Sequence, residues 1–251
     1  MPGGGGPEPG RYDRGMSERL YFRQLLAGRD YAVGDQIATQ MRNFSYLIGD
    51  RETGEAMVVD PAYAVDDLLG LLDDDGMRLT GVLATHYHPD HVGGDMMGFS
   101  LPGVAELLAR KQVPIHVADA EQEWVRRVTG VSGTDLVAHD HDDTVAIGAI
   151  EVRTLHTPGH TPGSQCFLLD DALIAGDTLF LDGCGRTDLP GGDADALYGS
   201  LQQLAGLSGD PVVYPGHMYS AEPSANLSHV RETNVVFRPR SLAEWRQIFA
   251  G

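Results

Sequence analysis

Three imidazoles and one carboxylate occur close together in the sequence, at His86, His88, Asp90 and His91. Imidazole nitrogens and carboxylate oxygens are ligands that suit zinc, iron and manganese in proteins. Two histidines that are two residues apart on an extended segment can point the same way and hold one metal ion, while the next two ligands turn towards a neighbouring position. A lone His-x-His is usually a solvated polar loop, but this longer pattern after an apolar segment favours a metal site.

Three more residues of ligand type follow short apolar segments later in the chain, at His160, Asp177 and His217. A Pro-Gly pair before each of these two histidines allows a sharp turn of the backbone that directs the imidazole inwards. Each residue indicates little alone, because an aspartate at the end of a strand is usually a cap. Together with the first group they predict two neighbouring metal sites, formed by His86, His88, Asp90, His91, His160, Asp177 and His217.

The segments that must position these residues are short and apolar. Residues 81–84, just before His86, predict a buried strand. The group from His86 to His91 is therefore expected on a loop at the carboxyl end of this strand, where open sheets present ligand-binding groups. Further strands are predicted at 43–48, 56–59, 113–117, 165–169, 172–175 and 211–214, with a strand or hairpin at 144–155. Helices are predicted at 65–72, 104–110, 119–124 and 197–204, and after a capping box of Ser241 and Glu244. Residues 92–103 are predicted to form a loop.

The composition argues against several classes of function. The chain has 251 residues, a net charge of −18 and a single lysine, so it lacks the clustered cations that bind nucleic acid. No apolar run approaches the roughly 18 residues of a membrane-spanning helix, the first residues do not resemble a signal peptide, and two cysteines do not make a disulfide framework. We therefore expect a cytoplasmic protein with a small-molecule substrate, a disordered tail at 1–18 and a single domain at 19–251. Its oligomeric state stays open.

The order and spacing of the seven ligand-type residues resemble the metallo-β-lactamase superfamily over roughly residues 40–220. The resemblance implies an α/β (α+β) fold, a four-layer αββα sandwich with a dinuclear metal site between the sheet edges. It assigns the first metal to His86, His88 and His160, the second to Asp90, His91 and His217, and the bridging position to Asp177. The carboxylates Asp90 and Asp177 are accordingly the candidate catalytic residues. An aspartate rather than a cysteine at position 177 resembles the hydrolase branches of the superfamily.

A second resemblance indicates the branch of the superfamily to which the sequence is most similar. The stretch from Gly176-Asp177 to Gly185-Arg186 is similar to glyoxalase II (hydroxyacylglutathione hydrolase) and to persulfide dioxygenase. In both families a basic residue at the position of Arg186 contacts the thiol part of the substrate. The sequence Gly185–Asp188 is more similar to the corresponding motif of persulfide dioxygenase. The stretch that ends at Tyr219 resembles glyoxalase II, in which the tyrosine position holds glutathione. Arg186 and Tyr219 are therefore the predicted substrate-binding residues.

These resemblances imply a metal-dependent hydrolase that cleaves a thioester of a low-molecular-weight thiol, with hydroxide held between two metals as the nucleophile. We expect two divalent ions, with zinc first and iron or manganese as alternatives. A thiolate leaves with little acid assistance, which suits a sequence with no obvious extra proton donor near the site. The alternatives are a mononuclear iron persulfide dioxygenase that uses His86, His160 and Asp177, a lactonase, and a non-catalytic metal-binding module.

The remaining histidines and cysteines are predicted to have other roles. The acidic run that contains His139 and His141 is interpreted as a solvated loop with no strand leading into it. His156 is expected to pack behind the site, and His116 and His229 to be structural. Cys184 lies beside the predicted site, but no histidine is free to activate it, so we interpret it as a packing residue. Cys166 is expected in the core.

Overall fold

A computed structural model describes residues 18–249 of the protein, so residues 1–17 of the predicted tail lie outside the described part. The strands are β1 (Leu20–Leu26), β2 (Phe44–Asp50), β3 (Glu55–Val59), β4 (Arg78–Leu83), β5 (Gly94–Met96), β6 (Phe99–Leu101), β7 (Ile115–Ala118), β8 (Leu136–His139), β9 (Thr144–Ile147), β10 (Ile150–His156), β11 (Gln165–Leu169), β12 (Ala172–Gly176), β13 (Val212–Pro215) and β14 (Ala225–Asn226). The α-helices are α1 (Gln36–Met41), α2 (Val65–Asp74), α3 (Pro89–Val92), α4 (Val104–Arg110), α5 (Gln122–Thr129), α6 (Ala194–Ala205), α7 (Leu227–Thr233) and α8 (Leu242–Phe249).

Two six-stranded sheets form the centre of the fold. Their strand orders are β1-β2-β3-β4-β7-β8 and β14-β13-β12-β11-β10-β9, and β5 pairs with β6 in a separate hairpin. Between residues 18 and 249, no helix has the length and apolar character needed to cross a bilayer.

Both sheets bury side chains on both faces, and this produces four layers. In β2, Leu47 packs towards the helices outside the first sheet, whereas Ile48 points between the sheets and packs in the same cluster as Phe167 of β11. This alternation is the period of two that a strand imposes on its side chains. On the outer face of the second sheet, Leu173 packs with helices α6, α7 and α8, including Trp245. The αββα sandwich implied by the sequence resemblance is confirmed.

The topology brings the ends of several strands together at one end of the sandwich. Strands β12 and β13 are parallel, and Gly176 is paired with Pro215, so the residues that follow the two strands leave the sheet side by side. In the first sheet, β4 ends at Leu83. The backbone N–H of Gln165 in the second sheet donates to the carbonyl of Thr85 at 2.9 Å. The segments after β4, β10, β12 and β13 therefore emerge close to one another.

The prediction of a loop at 92–103 is wrong, because β5 and β6 form a short hairpin there. Its turn residues Met97 and Gly98 have φ angles of 52° and 84°, the positive values of a two-residue hairpin turn. Such turns are usually marked by Asn-Gly or Asp-Gly, and a methionine in the first position hides the signal.

Two further local predictions need correction. The segment with Asp90 and His91 is a short helix, α3, rather than a loop. The acidic run at 139–143 does have a strand leading into it, namely β8, which ends at His139. Strand β8 lies at the edge of its sheet, where Val137 and Ala138 are exposed, so its sequence lacks the continuous apolar character of the central strands.

The C-terminal helix begins near the predicted capping box. The Ser241 hydroxyl accepts from the backbone N–H of Glu244 at 3.2 Å, but the Glu244 carboxylate accepts from the backbone N–H of Arg240 rather than that of Ser241. Trp245 anchors the helix, because its indole N–H donates to the carbonyl of Ala194 at 2.8 Å and its ring is buried.

Replacement of Trp245 by alanine is expected to lower the free energy of unfolding by about 3–5 kcal/mol, because it leaves a large cavity between α8 and α6. Denaturant unfolding followed by circular dichroism measures this change. Ile248→Ala on the same helix is the matched control, because Ile248 is 63% exposed. Equal stability losses in the two variants would contradict the anchoring role of Trp245.

Candidate metal centre

Three histidine nitrogens converge at the end of β4. The Nε2 atoms of His86 and His160 each lie 3.0 Å from Nδ1 of His88. One imidazole nitrogen carries either a proton or a lone pair, so it cannot serve two such neighbours with ordinary hydrogen bonds. A zinc ion bound tetrahedrally at about 2.0–2.1 Å separates its ligand atoms by about 3.3 Å. The arrangement therefore fits a metal ion held by all three nitrogens.

A second cluster lies beside the first. Nε2 of His91 lies 3.3 Å from Nε2 of His217 and 3.6 Å from Oδ2 of Asp90, and the Asp90 and His217 atoms are 3.4 Å apart. All three side chains are buried. A mixed set of imidazole and carboxylate ligands at these separations fits a second divalent ion.

The Asp177 carboxylate lies between the two clusters. Its Oδ2 atom is 3.7 Å from Nε2 of His160 and 3.3 Å from Nε2 of His217, and its Oδ1 atom is 3.5 Å from Nε2 of His91. Among the described residues, Oδ1 has no hydrogen-bond partner although it is buried. A buried carboxylate that faces both clusters and has one oxygen without a protein partner fits a ligand of two metals.

Burial and charge act against each other at this centre. Burial raises the pKa of the Asp177 carboxyl, but the facing imidazoles of His217 and His91 outweigh it and hold the pKa well below its ordinary value. Burial lowers the pKa of His91, but the carboxylates of Asp177 and Asp90 raise it to about 10. The buried carboxylates are therefore stabilised by nearby positive charge, which divalent ions would supply.

Glycines at two positions leave space for the Asp177 carboxylate and the His160 ring. A Cβ atom on Gly216 would lie 2.2 Å from Oδ1 of Asp177, and one on Gly185 would lie 2.1 Å from the Asp177 carbonyl and 2.8 Å from the His160 ring. Larger side chains at these two positions would push the ligands apart.

Backbone and carboxylate groups orient three imidazoles of the clusters from the side that faces away from the clusters. Nδ1 of His160 donates to the carbonyl of Arg186 at 2.7 Å, and Nδ1 of His217 donates to the carbonyl of Met41 at 2.8 Å. Nδ1 of His91 lies 2.9 Å from Oδ2 of Asp60. These partners leave the three Nε2 atoms facing the clusters, as metal ligands require.

Two residues near the clusters were not found from the sequence. Asp60 directly follows β3, and its carboxylate accepts from the backbone N–H and the hydroxyl of Thr85. Asn43 began a predicted strand, but its amide nitrogen lies 3.1 Å from Oδ2 of Asp90, and its oxygen accepts from the Tyr63 hydroxyl at 2.8 Å. A buried aspartate or asparagine next to a strand carries no local signal of such distant partners.

The two predicted substrate-binding residues lie at the rim of the metal centre, but only Tyr219 turns its side chain towards the clusters. The Tyr219 ring is 57% exposed and stacks on the His217 ring with centroids 4.8 Å apart. Arg186 reaches the centre through its carbonyl, whereas its guanidinium is exposed and donates to both oxygens of Asp188 at 2.6 Å.

The other histidines and the cysteines lie outside the ligand clusters described above. Nδ1 of His116 is 2.8 Å from Nε2 of His139, and Nδ1 of His141 accepts from the backbone of β10. Burial raises the pKa of the Cys166 thiol to about 11 and that of the Cys184 thiol to about 12. Both cysteines therefore remain protonated near neutral pH, which agrees with packing roles.

Residues 38–217 match the sequence profile described as the Metallo-beta-lactamase superfamily. The chain belongs to this superfamily. With the two histidine and aspartate clusters, this makes the protein a metal-dependent enzyme of the metallo-beta-lactamase superfamily.

Three curated relatives represent different branches of the metallo-beta-lactamase superfamily. The chain is 31% identical over 198 residues to the probable polyketide biosynthesis zinc-dependent hydrolase BaeB of Bacillus velezensis, covering 78% of this chain and 82% of that protein. It is 33% identical over 197 residues to human mitochondrial persulfide dioxygenase ETHE1, covering 76% and 70%. It is 35% identical over 214 residues to hydroxyacylglutathione hydrolase of Rhodopseudomonas palustris, covering 83% and 75%.

A solved structure of similar architecture is ETHE1 from Myxococcus xanthus. It superimposes with a TM-score of 0.72 at 29% sequence identity, covering 92% of this chain and 90% of that one. The resemblance to glyoxalase II and persulfide dioxygenase drawn from the sequence is therefore confirmed at the level of relatives.

Removal of the carboxylate that faces both clusters is expected to disturb both of them. Asp177→Ala should reduce a metal content of about two equivalents and abolish turnover more completely than His88→Ala or His217→Ala, each of which removes a ligand from one cluster. Elemental analysis after expression in mixed-metal medium, with kcat on the same preparations, measures this.

His139→Ala and His141→Ala are the controls for this series, because both histidines lie outside the clusters, and they should leave metal content unchanged. If Asp177→Ala keeps both metals and near-normal turnover, its position between two metals is wrong.

Proposed function

We propose that the protein hydrolyses a thioester of a low-molecular-weight thiol at a centre of two divalent metal ions, zinc in the first instance, with iron or manganese as alternatives. The observation that carries the proposal is the complete second cluster of Asp90, His91 and His217, with ligand atoms 3.3–3.6 Å apart beside the three-histidine cluster. The similarity to hydroxyacylglutathione hydrolase and to a zinc-dependent hydrolase supports it.

The proposal assigns His86, His88 and His160 to the first metal, Asp90, His91 and His217 to the second, and Asp177 to both. When bound, such a pair of ions polarises a carbonyl and lowers the pKa of water towards about 7. The residues of this chain fix the ligand nitrogens through the acceptors behind them and exclude bulk water by their burial. Asp90 and Asp177 act as catalytic residues because they would contact the metal ions directly.

A thioester is favoured because the site offers little acid catalysis to a leaving group. Burial and the carboxylates of Asp177 and Asp90 raise the pKa of Tyr219 to about 12. Because an efficient general acid has a pKa near the working pH, the Tyr219 hydroxyl can donate a hydrogen bond but is a poor general acid. The Cys184 thiol, with a pKa raised to about 12 by burial, is no nucleophile at neutral pH. A thiolate leaving group needs no such acid, whereas an amine would.

The second candidate is a mononuclear iron persulfide dioxygenase. His86, His160 and Asp177 would provide two imidazoles and one carboxylate with open positions on the metal. The similarity to ETHE1 and the sequence motif Gly185–Asp188 support this second function. A lactonase would use the same hydrolytic chemistry on an oxygen ester. A structural metal module is less well supported, because structural zinc sites are usually closed sets of four ligands. A cytoplasmic location and a small-molecule substrate without nucleic acid remain part of the proposal.

One assay panel separates these reactions. The zinc-loaded and iron-loaded proteins are each given a glutathione thioester, a simple lactone and glutathione persulfide, with thiol release, acid release and oxygen uptake as readouts. The proposal predicts thiol release from the thioester by the form with two metals and no oxygen uptake with the persulfide. If instead a form with one iron takes up oxygen with the persulfide and does not hydrolyse the thioester, the protein is a dioxygenase and the hydrolase proposal is wrong.

Arg186 is expected to bind the anionic end of the thiol. Arg186→Ala should raise KM for a charged thioester by roughly ten-fold or more, with kcat and metal content nearly unchanged. A neutral S-acyl thiol should show almost no change. Steady-state kinetics with the two substrates measure the difference, and a collapse of kcat with both would show that Arg186 is structural or catalytic.

Asp188→Asn is the matched variant for this test, since Asp188 occupies the guanidinium. Solvent screens an exposed ion pair such as this one, so a substrate carboxylate can displace it. Releasing Arg186 should lower KM for the charged thioester by up to about five-fold, and a higher KM in Asp188→Asn would contradict the competition.

A further inference from the structure

A buried glutamate joins two of the loops that carry metal ligands. Glu121 is 1% exposed and ends the short 3₁₀ segment Asp119–Glu121 between β7 and α5. Its Oε1 atom accepts from the backbone N–H of Tyr87 at 2.8 Å and from the Thr161 hydroxyl at 2.7 Å, and its Oε2 atom accepts from the backbone N–H of Gly163 at 2.7 Å. A buried carboxylate is costly unless it is hydrogen-bonded, and here three donors meet it.

Two of the groups that donate to Glu121 belong to residues adjacent to proposed metal ligands. Tyr87 lies between the ligands His86 and His88, and Thr161 follows the ligand His160 directly. One carboxylate oxygen therefore links the two loops whose histidines approach within 3.0 Å of each other at the first cluster. Other hydrogen bonds between these regions, from Gln165 to the backbone before His86, lie behind the ligands.

We propose that Glu121 is a positioning residue that sets the separation between the His86 and His88 loop and the His160 loop, and thereby the metal affinity of the three-histidine cluster. This inference rests on the proposed metal centre and is independent of whether the reaction is hydrolysis or oxygenation.

The residues around Glu121 support the same role. Trp124, one turn further along, stacks on the Tyr87 ring with centroids 4.8 Å apart, and the Tyr87 hydroxyl donates to the carbonyl of Pro190 at 2.8 Å. The loop of Pro190 is the one whose Arg186 carbonyl accepts from Nδ1 of His160. A single segment, 119–124, thus holds three loops around the first cluster.

A glutamine at this position would keep the shape but not the hydrogen bonds. Burial raises the pKa of the Glu121 carboxyl to about 7, while its three donors favour the ionised form. Both carboxylate oxygens accept, whereas an amide has one oxygen and a nitrogen that donates. In Glu121→Gln the nitrogen must face either Gly163 or the pair of Tyr87 and Thr161, so at least one donor loses its partner.

The test is the binding of Co²⁺ to the metal-free protein, followed by its visible absorption spectrum and by competition with a chelator. In Glu121→Gln, the affinity of the three-histidine cluster should fall by about ten-fold or more, with an altered spectrum. Thr161→Val should show a smaller loss in the same direction, and Thr161→Ser, which keeps the hydroxyl, should restore wild-type binding. Glu123→Gln is the control, because Glu123 is exposed and pairs with Arg126.

The Thr161 variants decide the question if Glu121→Gln does not fold. Wild-type Co²⁺ affinity and spectrum in folded Glu121→Gln and in Thr161→Val would overturn the positioning role, as would a lower melting temperature with unchanged Co²⁺ binding. If the wild-type protein itself binds no Co²⁺, the metal centre is wrong and this inference fails with it.

Discussion

The structure depends on the close approach of imidazole nitrogens and carboxylate oxygens in a site that is largely closed to water. Nε2 of His86 and of His160 both lie 3.0 Å from Nδ1 of His88, and the buried Asp177 carboxylate faces the imidazole of His160 and two further ones, those of His91 and His217. Protein atoms alone satisfy such an arrangement poorly, since lone pairs meet one another and buried charges have few partners. Divalent cations would satisfy all of these atoms at once, and the ends of the strands are arranged around that requirement.

The seven residues of the two clusters could be predicted because each follows a recognisable local signal. A short apolar strand, a turn and a histidine or aspartate recur in the sequence, and the structure brings all seven residues together. The central strands and several helices were predictable for the same reason, because buried strands and amphipathic helices have strong periodic patterns. Helix α4, for example, has the bounds that the sequence predicts.

The residues that orient the ligands could not be found this way. The side chains of Asp60, Asn43 and Glu121 meet partners that are 20 or more residues away in the chain, and several of these partners are backbone N–H groups, which leave no trace in the sequence. The hairpin of β5 and β6 was missed for a related reason, since Met97 adopts a positive φ that its side chain does not favour. Sequence patterns thus reveal which atoms would meet a metal better than they reveal what holds those atoms in place.

The reaction is harder to assign than the site because hydrolysis and persulfide oxidation can use the same ligands. His86, His160 and Asp177 belong to the proposed dinuclear set and also to a mononuclear iron triad. The difference lies in the occupancy of the second cluster and in the groups at the rim, above all Arg186 with its partner Asp188.

Anomalous X-ray diffraction from crystals of the metal-loaded protein, collected at the absorption edge of the bound metal, tests the central claim most directly. Two peaks about 3.5–4 Å apart are expected. One should lie within about 2.5 Å of the His86, His88 and His160 nitrogens and the other at Asp90, His91 and His217, with Asp177 between them. A single peak at His86, His160 and Asp177, or no peak at these residues, would contradict it.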